Sequence, residues 1–152
     1  GNRARVRGFE NVDGGDGDDL IVGSSVRNIL DGGLGNDRVL GAGGDDFIDG
    51  NEGDDVLFGN TDDDLIIGGL GDDVLYGGGG IDRFLFLEGD GNDIIRDFQD
   101  NADKIWIRGG YSFADLTIED TGPHVQVSFE LNDITIHNID LNRITAADFI
   151  FA

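Results

Sequence analysis

The chain has 152 residues, with 32 Asp or Glu against 10 Lys or Arg, and a formal net charge of −22. That anionic excess excludes nucleic acid and anionic membrane as electrostatic partners, and aspartates set among glycines ask for hard cations instead. There is no Cys for a disulfide framework, and no apolar run approaches the length of a membrane-spanning helix.

Residues 1–13 read as a lead-in strand. The chain opens on Gly1-Asn2-Arg3 without an initiator Met, as expected of the C-terminal part of something longer. From Gly14 to Leu85 a nine-residue unit then runs through eight copies, from GGDGDDLIV at Gly14 to GGGGIDRFL at Gly77. The pattern is G-G-x-G-x-D-x-U-x, where U is a large apolar residue. Every copy opens on Gly, which is read as a tight turn needing positive φ or close backbone approach. The sixth column holds Asp19, Asn28, Asp37, Asp46, Asp55, Asp64, Asp73 and Asp82. The eighth holds Ile21, Leu30, Val39, Ile48, Leu57, Ile66, Leu75 and Phe84, an interior ladder with one side chain per copy. Its strand neighbours must face outward, because side chains alternate along a strand. Extended backwards, the register puts Val12 in the apolar column and Glu10 in the carboxylate column.

After Phe86 the register degrades, since Asp93 falls where an apolar residue belongs. Residues 86–98 are read as an exit segment. The composition then changes to alternating strand patterns at 104–108, 116–118, 125–129 and 134–136, with turns at 120–123 and 131–133. Thr145-Ala146-Ala147-Asp148 reads as a short capped helical turn, followed by a closing Phe149-Ile150-Phe151. Residues 99–152 therefore form an antiparallel cap on the open end of a parallel roll, as repeat arrays require.

Two copies make one turn of the coil, so equivalent positions recur every eighteen residues. One edge carries Asp19, Asp37, Asp55 and Asp73, and the other Asn28, Asp46, Asp64 and Asp82. Neighbouring coils lie about 4.8 Å apart, so successive carboxylates face shared gaps that favour a cation. An all-oxygen, carbonyl-rich site suits Ca²⁺ better than Mg²⁺, and two His without Cys argue against zinc or copper. Asn28 replaces a carboxylate in a copy lacking the second and fourth glycines, so its gap is expected to be weak. Asp62 stands at a fourth-Gly position and is expected to strain its turn. Beyond Asp82 the candidate ligands are Asp90, Asp93 and Asp97, with Asp103 a more remote candidate. Without metal, so anionic and Gly-rich a segment is expected to be disordered.

The eight copies resemble the repeats of RTX ("repeats-in-toxin") proteins of Gram-negative bacteria. So do the lead-in Gly8-Phe9-Glu10-Asn11-Val12, the exit Asp93-Ile94-Ile95-Arg96-Asp97-Phe98 with Asp103-Lys104-Ile105, and the terminal Ala147-Asp148-Phe149-Ile150-Phe151-Ala152. The exit and terminus are most similar to the end regions of serralysin-type metalloproteases and mannuronan epimerase modules. The resemblance implies a right-handed all-β parallel roll and calcium-triggered folding outside the cell. It also implies a C-terminal signal for the type I secretion machinery, and a catalytic domain N-terminal to the repeats.

The chain itself carries no H-E-x-x-H, G-x-S-x-G or P-loop. His124 and His137 read as strand residues rather than ligands, and Arg3, Arg5 and Arg7 as a solvated strand face. The leading expectation is a calcium-dependent folding and secretion module without catalysis of its own. The alternative is a polysaccharide- or surface-binding module. On the outside of the roll, the apolar row Val22–Leu40–Phe58–Tyr76 is expected to be covered by residues 99–152 or by another domain.

Overall fold

The structure, a computed structural model, describes residues 5–8 and 10–152, with residues 5–7 as backbone alone. Arg3 and Phe9 of the lead-in stretch, and the side chains of Arg5 and Arg7, lie outside the described residues. Sixteen strands are described. The first eight are β1 (Arg5–Arg7), β2 (Asn11–Asp13), β3 (Leu20–Val22), β4 (Ile29–Leu34), β5 (Arg38–Leu40), β6 (Phe47–Glu52), β7 (Val56–Thr61) and β8 (Leu65–Leu70). The rest are β9 (Val74–Gly79), β10 (Arg83–Phe86), β11 (Asn92–Ile95), β12 (Lys104–Ile107), β13 (Thr117–Asp120), β14 (His124–Phe129), β15 (Asn132–His137) and β16 (Phe149–Phe151). No α-helix occurs among the described residues, and the fold is an all-β parallel roll.

From β1 to β12 successive strands alternate between two facing sheets. One has the order β1-β3-β5-β7-β9-β11-β15-β14-β13, and the other β16-β12-β10-β8-β6-β4-β2. Within the repeats the pairing is parallel at an offset of eighteen residues, as in Leu30↔Ile48 and Ile48↔Ile66. That offset keeps each apolar column residue stacked on its equivalent. Ile21 through Phe84 are all fully buried between the sheets.

The glycine columns divide their work. Second- and fourth-column residues adopt left-handed backbone, for example Gly33 (φ +105°) and Gly35 (φ +123°). Asp62 does the same at φ +78°, a conformation that favours glycine, so the expected strain is real. The first-column glycines do not have positive φ, so of the two demands read into that column only close approach applies. Their constraint is space. A Cβ at Gly32 would lie 2.6 Å from Asp37 Oδ2 and 2.7 Å from the Gly50 carbonyl of the next coil.

Parallel stacking runs on past residue 98. β11 pairs with β9 at an offset of twenty residues (Ile95↔Leu75), and β12 with β10 at twenty-one (Ile105↔Phe84). Short insertions explain why the pattern seems lost from sequence. Once they are allowed for, Ile95 and Ile105 stand fully buried in the apolar column. β16 then pairs in parallel with β12, and β15 in parallel with β11. The antiparallel part is β13–β14–β15. Its last hairpin pairs Phe129 with Asn132, so the turn is Glu130-Leu131, with Glu130 at φ +48°. Asn132 and Asp133, expected in the turn, are in the strand. The capped turn at Ala146–Asp148 is present, with Thr145 and Asp148 forming a capping box.

Residues 117–137 extend one sheet in its own plane, as β13–β15 beside β11. The half-buried state of Phe58 and Tyr76 has a local source. Their rings stack at 4.5 Å, and the Arg38 guanidinium sits 4.4 Å above Phe58. Covering of the row by residues 99–152 thus gives way to packing within it.

Removal of residues 99–152 would expose Phe84 and Ile95 and take away Asp103. A chain of residues 1–98 is expected to lose calcium-induced β structure, or to need far more calcium for it, as read by far-ultraviolet circular dichroism. Folding at the same calcium concentration as the full chain would contradict this role.

Candidate metal centre

The carboxylate column is a buried ladder anchored on the backbone. Along one edge the amide of Asp19 donates to Asp37 Oδ1 at 2.7 Å, Asp37 to Asp55 at 2.6 Å, Asp55 to Asp73 at 2.8 Å, and Asp73 to Asp93 at 3.0 Å. Along the other, the amide of Asn28 donates to Asp46 Oδ1 at 2.7 Å, Asp46 to Asp64 at 2.8 Å, Asp64 to Asp82 at 3.0 Å, and Asp82 to Asp103 at 3.1 Å. Each carboxylate is thereby pinned across the gap between coils. The strands place it there, because two residues on, the apolar column locks the chain between the sheets.

The second oxygen carries the chemistry. Oδ2 of Asp37, Asp46, Asp55, Asp64, Asp73, Asp82 and Asp93 is buried and has no hydrogen-bond partner. Buried carboxylate oxygens without partners are strongly unfavourable unless a proton or a cation compensates them. From Asp37 to Asp82 each lies against its first-column glycine, and a carbonyl from the next coil borders the same point at Gly32, Gly41, Gly50 and Gly59. Among the described residues no three acidic or His side chains converge on one point. A cation held here must draw on backbone carbonyls as well, and such an all-oxygen donor set fits Ca²⁺.

Electrostatics point the same way. Burial is the main cause lifting Asp46 and Asp82 to about 6, Asp55, Asp64 and Asp73 to about 7, and Asp93 to about 8. Neighbouring aspartates add to the rise, and the anchoring amides oppose it. For Asp55 those neighbours are Asp73 and Asp37, the rungs on either side, and then Asp54.

The remaining site candidates lie elsewhere. Asp90 is buried, but its Oδ2 accepts the Leu87 amide at 2.6 Å. Asp97 accepts the Gly77 and Gly78 amides at 2.9 and 3.0 Å, so it clamps the last repeat's turn. Asp103, the remote candidate, is a rung of the ladder. Its Oδ2 differs from the others in accepting the Gln99 amide at 2.8 Å. His124 and His137 stack at 3.8 Å on the outer sheet face, with Arg96 Nη1 2.9 Å from His137 Nδ1.

A second acidic ladder was missed from sequence. Fifth-column side chains accept amides from the next coil: Asp18 from Asn36, Asn36 from Asp54, Asp45 from Asp63, Asp54 from Asp72, and Asp63 from Ile81. It is exposed. Its signal was present, since six of the eight copies carry Asp or Asn in that column.

The profile of the RTX calcium-binding nonapeptide repeat family matches residues 13–48 and 49–84. Residues 13–84 belong to that family. Calcium is therefore the cofactor of these RTX repeats. No curated protein matches the chain at the level of sequence. Among solved structures the chain is similar to the extracellular lipase LipA of Serratia marcescens, at 18% identity and a TM-score of 0.57. That match covers 99% of this chain and 38% of the lipase chain, so the chain spans well under half the lipase's length. It is also similar to the AlgE6R2 subunit of a mannuronan C5-epimerase of Azotobacter vinelandii, at 25% identity and a TM-score of 0.54. There the match covers 88% of this chain and 92% of the subunit.

The raised carboxylates set a pH dependence. Their folded values lie above the ordinary 3.8, so without calcium the folded chain binds more protons than the unfolded one between about pH 4 and 8. Stability contributed by these groups is present below that window and lost as pH rises through it. In chelator, β content is expected to increase as pH falls from 8 to 5, and the calcium concentration needed for folding to fall with it, because a proton and a calcium ion both compensate the same oxygens. A chelator-treated chain whose circular dichroism is flat over this range would rule it out.

Proposed function

We propose that Asp19, Asp37, Asp55, Asp73 and Asp93 on one edge, and Asp46, Asp64 and Asp82 on the other, are the calcium ligands. Backbone carbonyls of the Gly-rich turns complete each site. The observation that carries this reading is the buried carboxylate column, in which, for each of these residues but Asp19, one oxygen is pinned by an amide and the other is left without a partner. In this reading calcium binding is folding. The unliganded chain, at net charge −22, repels itself, and ions along the two edges supply the missing compensation.

The module serves a larger exported bacterial protein whose catalytic domain lies elsewhere, and it carries no catalysis of its own. Cytosolic free calcium lies far below the roughly 10⁻⁴–10⁻³ M affinity typical of extracellular calcium modules, so the chain stays unfolded for type I export and folds outside. Residues 99–152 close the roll and carry the secretion signal. A second reading, a polysaccharide- or surface-binding module, is favoured by the cationic and aromatic groups on one outer face: Arg38 over Phe58, Tyr76 stacked beside it, and the Arg96–His137–His124 group. Retention of the calcium-loaded chain on an acidic polysaccharide column would support that addition.

The test of the first reading is direct. The chain is expected to be mostly disordered in chelator and compact and β-rich in millimolar Ca²⁺, with Mg²⁺ a poor substitute. Identical far-ultraviolet spectra with and without chelator would refute it. Asp55 Oδ1 receives the Asp37 amide and its Oδ2 is buried without a partner, so Asp55→Ala removes an anchor of the edge and a ligand together. Its calcium midpoint of folding is expected to rise about tenfold, equivalent to about 1.4 kcal/mol, and more than that of Asn28→Ala.

A further inference from the structure

We infer that the turn from Ser24 to Asn28 is a calcium-free turn, in which the side-chain amide of Asn28 does the work that an ion does elsewhere in the roll. This rests on the reading of the ladder aspartates as calcium ligands. It goes further in dividing the array into turns that need an ion and one that does not.

The hydrogen bonds make the distinction. Asn28 Oδ1 accepts the Ser24 amide at 2.6 Å. Its Nδ2 donates to Ser24 Oγ at 2.9 Å and to the Val26 carbonyl at 2.7 Å. Both ends of the side chain are satisfied inside its own turn. In Asp46, the next rung on the same edge, Oδ2 is buried with no partner. An ion joins a carboxylate to turn carbonyls. Here the Nδ2 hydrogens join the side chain to a turn carbonyl directly, and that carbonyl is already engaged.

The backbone agrees. In the other seven copies the second- and fourth-column residues take left-handed φ, but Ser24 and Val26 do not. The turn follows a different path, so its carbonyls do not repeat the arrangement of the others. Charge agrees as well. The fifth column of this copy carries Arg27, where other copies carry Asp18, Asp45, Asp54, Asp63 and Asp72. Arg27 lines the same groove as Asp45 and Asp63 of the next coils. A fixed guanidinium beside a cation site disfavours the ion, and here it supplies the positive charge itself. Ser24, Val26, Arg27 and Asn28 thus depart together from the repeat, each in the direction of a turn that holds itself.

Calcium alone is the probe, on the full 152-residue chain. The number of ions bound per chain is measured first by equilibrium dialysis. A wild-type chain that binds none defeats the proposed function, and the turn is then not in question. Given binding, the variant Ser24→Gly/Val26→Gly/Arg27→Asp/Asn28→Asp is expected to bind one ion more than wild type. An unchanged number would overturn the inference. Asn28→Ala gives an independent reading that does not depend on the fourfold variant folding. Loss of a ligand flattens the rise of Tm with calcium, whereas loss of a metal-free brace lowers Tm by the same amount at every calcium concentration. Asn28→Ala is expected to keep the wild-type slope, and Asp55→Ala to reduce it. A slope for Asn28→Ala as shallow as that of Asp55→Ala would overturn the inference.

Discussion

The whole roll depends on a carboxylate held between two coils with only half its hydrogen-bonding capacity used. One oxygen takes an amide from the coil beside it, which fixes the spacing and register of that edge. The other is buried and unsatisfied, which makes the same structure unfavourable until a cation arrives. Order and metal dependence come from one residue. The apolar column could not carry the fold alone, because it offers a single side chain per nine residues between two thin sheets. Ions on both edges must supply what a wider core supplies elsewhere.

The same carboxylate explains why glycine opens every repeat. At Gly32 the backbone conformation would accept any residue. What forbids a side chain is the carboxylate of Asp37 on one side and the Gly50 carbonyl on the other. These two oxygens crowd together, and a Cβ at this point would occupy the space where they meet. The second and fourth columns answer a different demand, that of turning the chain. There Ala42, Asn51, Asn60 and Asp62 substitute for glycine at the expense of left-handed φ. A column limited by sterics against buried oxygens tolerates nothing else, and a column limited by backbone strain tolerates several residues.

These two kinds of constraint also explain what could be read from the sequence. The repeats were legible because the fold enforces an eighteen-residue offset, so the Asp and apolar columns stay in phase from Asp19 to Phe84. The roll's last coils were not legible by counting, since insertions carry the offset to twenty at Ile95 and twenty-one at Ile105. The local signature survived. Asp93-Ile94-Ile95 and Asp103-Lys104-Ile105 both keep an Asp two residues before a buried apolar side chain, as every Asp-bearing repeat does. That spacing is set within one strand and is indifferent to loop length, so it is a better guide than period at the end of an array. The self-sufficiency of Asn28 was beyond sequence. It depends on the Val26 carbonyl turning inward, which only the backbone path decides.

Toward its C-terminus the molecule changes its chemistry by degrees. Asp93 is still a rung with an unpartnered oxygen, whereas Asp103 is a rung whose second oxygen takes the Gln99 amide. Asp97 is satisfied by two amides, and Gln99 Nε2 closes on the Gly78 carbonyl. Beyond them Asn132 ties the hairpin to the exit loop through the Gly89 amide and the Leu87 carbonyl. The core there widens to include Val125, Val127, Phe129, Ile134 and Ile136, together with the side chains around Phe149. Buried carboxylates are answered by amides instead of unpartnered oxygens, and a single apolar column becomes a cluster. An array that relies on ions for its edges needs an end that does not. An open coil can gain its ligand geometry only against a neighbour that is already in place, and β12 and β15 present such an edge to β10 and β11.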